Sequence, residues 1–209
     1  MSKISNMKMK TLVANTKVKR QKGFSLPELI IVLLILAILC VLALPQVISA
    51  RRAFRFSAIQ RQVASSLKEA RHEAMAQRTP VTFLYDDVNK RIVLHGGKFG
   101  TFGDAKNQSS ELSGSGLDAS SIIYGRPSGA TTAPLADTAT LTPIVSGTAS
   151  ITFEPDGSVP DSARNPQNNA LFFYNSIYQD QMAFAVSVLG AGGRVKIWRY
   201  NAASNIYVE

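Results

Sequence analysis

Between Phe24 and Ile48 the only ionised side chain is Glu28, and Leu29 to Leu44 is an unbroken run of Leu, Ile, Val and Ala with one Cys. At ~1.5 Å per residue, a helix over that stretch is long enough to cross a hydrocarbon layer of ~30 Å. A chain of 209 residues with 45% hydrophobic content suits one modest domain plus one extra element. The apolar run is that element, and it predicts a membrane-bound chain.

The formal charge of +9 suggests a polyanionic partner until its distribution is read. Residues 1–23 carry seven bases, Lys3, Lys8, Lys10, Lys17, Lys19, Arg20 and Lys22, and no acid. Beyond residue 78 there are nine bases against eleven acids, so the globular part is slightly acidic. A basic segment ahead of an apolar helix keeps the N-terminus in the cytoplasm. Arg51, Arg52 and Arg55 pull the other way but are outnumbered, so the globular part is expected in the periplasm. Cys40, the only cysteine, lies inside the apolar run, which excludes an intramolecular disulfide. Ile38-Leu39 before it lacks the small residues of a lipoprotein site, so Cys40 reads as an apolar filler residue.

A secretory signal peptide pairs a short apolar region of ~7–15 residues with small residues at a cleavage site. Here the run is longer, contains a carboxylate, and ends in Ala43-Leu44-Pro45-Gln46, which offers no such site. The basic region instead stops at Lys22-Gly23 and is followed by Phe24-Ser25-Leu26-Pro27-Glu28-Leu29. That junction resembles the type IV prepilin signature. The resemblance implies a prepilin peptidase that cuts between Gly23 and Phe24 and methylates the new amino group of Phe24. It also implies an assembly role for Glu28.

Physical reasons stand beside each position. Glycine lets the backbone extend into a protease cleft without a side-chain clash. Glu28 lies four residues beyond Phe24, about 6 Å deeper along a helix. An unpaired carboxylate is costly there, and a neighbouring subunit's amino terminus could pair with it and set the axial register. Reaching back to interfacial water or to its own terminus is the bland alternative for Glu28. Two departures from the pattern are a leader of 23 residues, shortened if translation starts at Met7 or Met9, and Pro27 where an aliphatic residue is often found. Proline is tolerated in a first helical turn because its missing N–H has no intrahelical partner there.

Pro45 interrupts the helical pattern and predicts a kink or local loosening, a feature that the pilin resemblance connects with packing into filaments. Beyond it, Phe56, Ile59, Val63, Leu67, Ala70 and Ala74 recur at spacings of three or four, which marks one apolar helix face. Thr79-Pro80 ends the helix. The remainder alternates like short strands: Val81–Tyr85, Arg91–His95, Ser121–Tyr124, Ser150–Phe153, Ala170–Tyr174, Met182–Leu189 and Arg194–Tyr200. Residues 96–120, rich in Gly and Ser, read as a long mobile loop. The expected fold is α+β and type IV pilin-like, a long N-terminal helix packed on a mostly antiparallel β head. The expected organisation is a leader over 1–23, a transmembrane helix half over 24–48, an amphipathic half over 49–78 and a periplasmic head over 79–209.

Ile151-Thr152-Phe153-Glu154-Pro155-Asp156-Gly157-Ser158, then Phe184-Ala185-Val186-Ser187 and Gly193-Arg194-Val195-Lys196, resemble the GspH/FimT group of minor pilins and pseudopilins. Membership implies a minor pseudopilin of the type II protein secretion system or, alternatively, a minor pilin of a type IV pilus. The implied partners are the prepilin peptidase, other pilins or pseudopilins, and inner-membrane lipid.

No enzyme, metal or cofactor chemistry is expected. His72 and His95 lack a cysteine partner or helical pairing for zinc. Asp86-Asp87 reads as a polar turn, and Asp156 with Asp161 lacks the oxygen-ligand spacing of a calcium loop. Gly190-Ala191-Gly192-Gly193 precedes a strand and reads as a hairpin turn, whereas a dinucleotide fingerprint opens a helix. One segment carries a second reading. Strand alternation puts Arg194, Lys196, Trp198 and Tyr200 on one face, where cations could meet phosphates and rings could stack on bases. That face partly resembles the Gly-Arg-rich motif of DNA-binding minor pilins. The acidic head, and the habit of edge-strand Trp to pack, weigh against DNA as a partner.

Overall fold

A computed structural model describes residues 24–100, 107–112, 121–130 and 135–209. Its first element is a 52-residue helix, α1 (Leu26–Gln77), with Pro27 in the first turn, where the missing N–H costs nothing. Arg78 closes the helix at φ 54, the left-handed conformation common just past a helix end, and Pro80 prevents continuation. The helix assignment is continuous through position 45.

The chain divides into two compact units, one ending at Gln46 and the other running from Val47 to Glu209. In the first, every side chain from Leu29 to Leu44 is exposed, so the apolar surface finds no cover within the protein. This helix is long and apolar enough to cross a membrane, and none of its apolar window is buried.

In the second unit the helix changes character. Phe56, Ile59, Val63, Ala64, Leu67, Ala70 and Ala74 are buried, as their spacing predicts. They pack on two sheets built from β1 (Val81–Asp86), β2 (Arg91–Gly96), β3 (Gln108–Glu111), β4 (Ile122–Tyr124), β5 (Thr140–Leu141), β6 (Ile144–Val145), β7 (Thr148–Phe153), β8 (Asn169–Asn175), β9 (Gln179–Leu189), β10 (Arg194–Asn201) and β11 (Ile206–Val208). One sheet runs β3-β2-β1-β7-β6; the other runs β11-β10-β9-β8-β4, with β5 pairing parallel to β8. All other pairings are antiparallel.

An aromatic chain ties the helix to both sheets. Phe56 meets Phe184 edge-on at 5.0 Å, Phe184 stacks on Phe173 at 5.3 Å, and Tyr85 meets Phe173 edge-on at 5.0 Å. Such pairs add ~0.5–1.5 kcal/mol each beyond the burial of their area. Tyr85 and Tyr124 keep their hydroxyls paired, to Asp87 Oδ1 at 3.0 Å and the Thr142 carbonyl at 2.7 Å. Burial pushes both phenols far above their ordinary value, for Tyr85 with help from the Asp87 carboxylate. A second cluster, on the other face of β8–β10, gathers Ala130, Leu135, Ala139, Phe172, Trp198 and Tyr207.

The segment expected as one long loop is corrected in part. It holds a 3-10 turn over Gly97–Phe99, with Phe99 buried, and the edge strand β3. Residues 101–106 and 113–120 of that segment lie outside the described ones. The sequence Gln108-Ser109-Ser110-Glu111 has no apolar alternation to announce a strand, because none of these four side chains is buried. Its register comes from β2 and from Gln62, whose Nε2 donates to the Glu111 carbonyl at 2.9 Å.

Candidate functional site

Gly23 and the basic leader lie outside the described residues. Phe24 is 80% exposed, and Glu28 stands exposed in the first turn of α1. The Leu29 N–H bonds the Ser25 carbonyl at 3.2 Å, so the helix begins close to Phe24 and puts Glu28 about one turn in. The partial positive charge of a helix N-terminus favours a carboxylate there. Among the described residues Glu28 makes no ion pair.

The head phrases that carry the family resemblance, far apart in sequence, close over one side chain. Glu154 to Ser158 is a tight turn after β7, closed by Gly157 N–H to the Glu154 carbonyl at 2.8 Å and Glu154 N–H to the Ser158 carbonyl at 2.9 Å. Asp156 accepts from the Ser158 hydroxyl at 2.6 Å and N–H at 2.9 Å, which holds its carboxyl below the usual range. Gly193 closes the β9–β10 hairpin, its N–H on the Leu189 carbonyl at 2.7 Å. Both glycines have positive φ, 81° at Gly157 and 58° at Gly193. Beneath them lies Arg71 of α1. A Cβ at Gly157 would stand 3.2 Å from Arg71 Nε, and one at Gly193 would stand 2.9 Å from Arg71 Cδ and overlap the Gly157 carbonyl oxygen. The glycines are thus required by close approach as well as by backbone conformation. The sequence signal for this meeting was the two Gly-containing phrases; nothing in the helix marked Arg71.

Strand alternation on β10 holds, but the face it defines is largely covered. Trp198 is 3% exposed, its ring in the second cluster and its Nε1–H donated to Ser187 Oγ at 2.8 Å. Ser187 in turn bonds the Asp137 carboxylate. Lys196 lies over the Trp198 ring, 5.1 Å from its centre, with its ammonium 2.6 Å from Glu209; Arg194 stands 4.0 Å from the same carboxylate. The Lys196 hydrogen bond holds Glu209 below the usual carboxylate range. Tyr200 bonds Asn205 at 2.8 Å and meets the Tyr207 ring at 5.1 Å. Base stacking on Trp198 would need an exposed ring, and this ring is buried.

The remaining polar candidates serve turns. Asp86 accepts from Val88 and Asn89 N–H, both at 3.1 Å, Asn89 Nδ2 at 2.7 Å and Arg91 Nε at 3.0 Å. Asp161 accepts from Ala163 and Asn165 N–H, both at 2.8 Å. His72 is exposed on the helix. No group of three potential metal-ligating side chains occurs among the described residues. The ion pair between Glu73, nearly buried on α1, and Lys98 at 3.0 Å is a link that sequence reasoning missed, since a charge on a helix does not announce a partner 25 residues on.

A long exposed apolar helix with a carboxylate in its first turn, continued under a β head, defines a subunit of the pilin class. Residues 18–44 match the prokaryotic N-terminal methylation motif, and residues 60–192, more than half the chain, match the family described as Type II transport protein GspH. The chain belongs to the GspH family, whose members are structural pilins and pseudopilins rather than enzymes. No curated protein gives a match. Two crystal structures of the Pseudomonas aeruginosa type IV minor pilin FimU are similar at 13% identity and a TM-score of 0.44. They cover 73% and 70% of this chain and 92% and 94% of their own.

Proposed function

We propose that this chain is a minor pseudopilin of the type II protein secretion system, built into the periplasmic pilus-like filament or its tip. The observation that carries this reading is the match of the head to the GspH family downstream of a methylation motif. The family implies assembly with other pilin-class subunits, and the motif implies processing by a prepilin peptidase. In this reading the peptidase cuts after Gly23 and methylates Phe24. The segment 24–48 crosses the inner membrane once, with the basic leader cytoplasmic and the head periplasmic.

Glu28 then pairs with a neighbour's terminal amine on leaving the lipid, and Pro45 eases loosening of the helix as subunits pack. Deleting the gene tests the choice of system. Secreted proteins should accumulate in the periplasm while surface pili and twitching persist, and complementation should restore secretion. Lost pili with intact secretion would assign the chain to a type IV pilus instead.

A further inference from the structure

Lys68, Arg71, His72 and Met75 follow one another at helical spacing on a stripe of α1 beside its buried face. With Gly193, Arg194 and Val195 of the β9–β10 hairpin they line a cleft of about 540 Å³. The lining holds three permanent cations and an imidazole, and no acid. Of the acids placed above, Glu73 pairs with Lys98 and Asp156 accepts from Ser158, while Glu209 pairs at 2.6 Å with Lys196 and stands 4.0 Å from Arg194, a looser contact that an anion in the cleft would compete with. Arg71 Nε is buried and has no hydrogen-bond partner, although the glycine turns hold its side chain in place. Nε is closed to a ligand by these turns, so an anion in the cleft would meet the outer guanidinium nitrogens of a half-buried side chain that is already fixed.

We propose that this cleft is a binding site for a phosphate group. Its cations come from two walls, Lys68 and Arg71 from the helix and Arg194 from the strand, with the His72 imidazole beside them. Donors arranged around a volume suit a tetrahedral oxyanion with several oxygens better than a planar carboxylate. The three permanent cations suit a dianion, with His72 Nδ1 or Nε2 as a further hydrogen-bonding group. Met75 and Val195 supply an apolar wall for whatever carries the phosphate. The site is separate from the N-terminal constellation and does not depend on which filament the chain joins.

The test uses the full chain in a sugar-based detergent, which brings no phosphate of its own. Titration calorimetry with inorganic phosphate is compared with acetate at equal ionic strength, and dimethyl phosphate is a third arm that separates a free dianion from a backbone-type diester. Phosphate or the diester should bind at least about fivefold more tightly than acetate. Arg71→Gln should weaken that binding about tenfold, and Lys68→Gln/His72→Gln, at more exposed positions that leave the Arg71 cradle intact, should weaken it by a similar factor. Arg61→Gln, outside the cleft, should leave it unchanged. Equal affinity for phosphate, diester and acetate, or a Lys68→Gln/His72→Gln chain that binds as the parent does, overturns the site.

Discussion

A charged side chain at the midspan of a membrane helix costs roughly 2.5–3.5 kcal/mol and less near the boundary, so in the proposed orientation Glu28, in the first turn, bears a reduced cost. In the proposed function, a cation supplied by a neighbouring subunit removes that cost only on assembly. Replacing Glu28 with Leu is therefore expected to leave membrane anchoring intact and to reduce incorporation into the filament, read by fractionation and by co-purification with other pilin-class subunits. Normal incorporation at native expression would remove the role. The glycines over Arg71 are a second residue-scale case. Gly193→Ala forces a Cβ into the left-handed region and against the Gly157 carbonyl, which is expected to destabilise the head by ~2–4 kcal/mol in urea unfolding. Gly192→Ala, with open space around its Cβ, should cost far less.

The β1–β2 hairpin shows how a turn becomes pH-sensitive. Burial raises the Asp86 carboxyl, but hydrogen bonds from Asn89 and the Arg91 guanidinium more than offset this and leave it lowered. A lowered folded value means that the carboxylate contributes stability above the ordinary Asp value of ~3.9, lost as pH falls through the folded value. Asp86→Asn is expected to cost about 0.5–1 kcal/mol at pH 7, the Arg91 partner being half exposed. The gap from the parent should close toward pH 2, as urea unfolding at both pH values would show.

At the same scale, legibility followed local pattern. The buried face of α1 and the longer strands were readable because periodicity and Pro80 are local signals. The short strands β5, β6 and β11, of two or three residues each, have no period to detect. Alternation places Trp198 on its face, yet gives no sign of the cover, because Ala130, Leu135 and Ala139 come from a turn-rich stretch with no regular pattern. Arg71 was hidden for the same reason: its cradle is made of three segments distant in sequence.

For the whole molecule, the two units answer to different solvents. From Leu29 to Leu44 the chain shows apolar side chains with no protein cover, and from Val47 it builds a buried core with nearly balanced charge. A chain divided in this way suits the proposed role of a subunit held in a membrane and drawn out into a filament. The basic leader accounts for most of the +9 charge, so its removal changes the molecule from strongly basic to nearly neutral. Processing at that junction is the step on which the proposed function depends. It is tested most directly by N-terminal sequencing and intact mass of the protein from cells with and without the prepilin peptidase. The expected mature chain begins with N-methylated Phe24 and appears only when the peptidase is present; a mature chain beginning at any other residue, or one that forms equally without the peptidase, would contradict it.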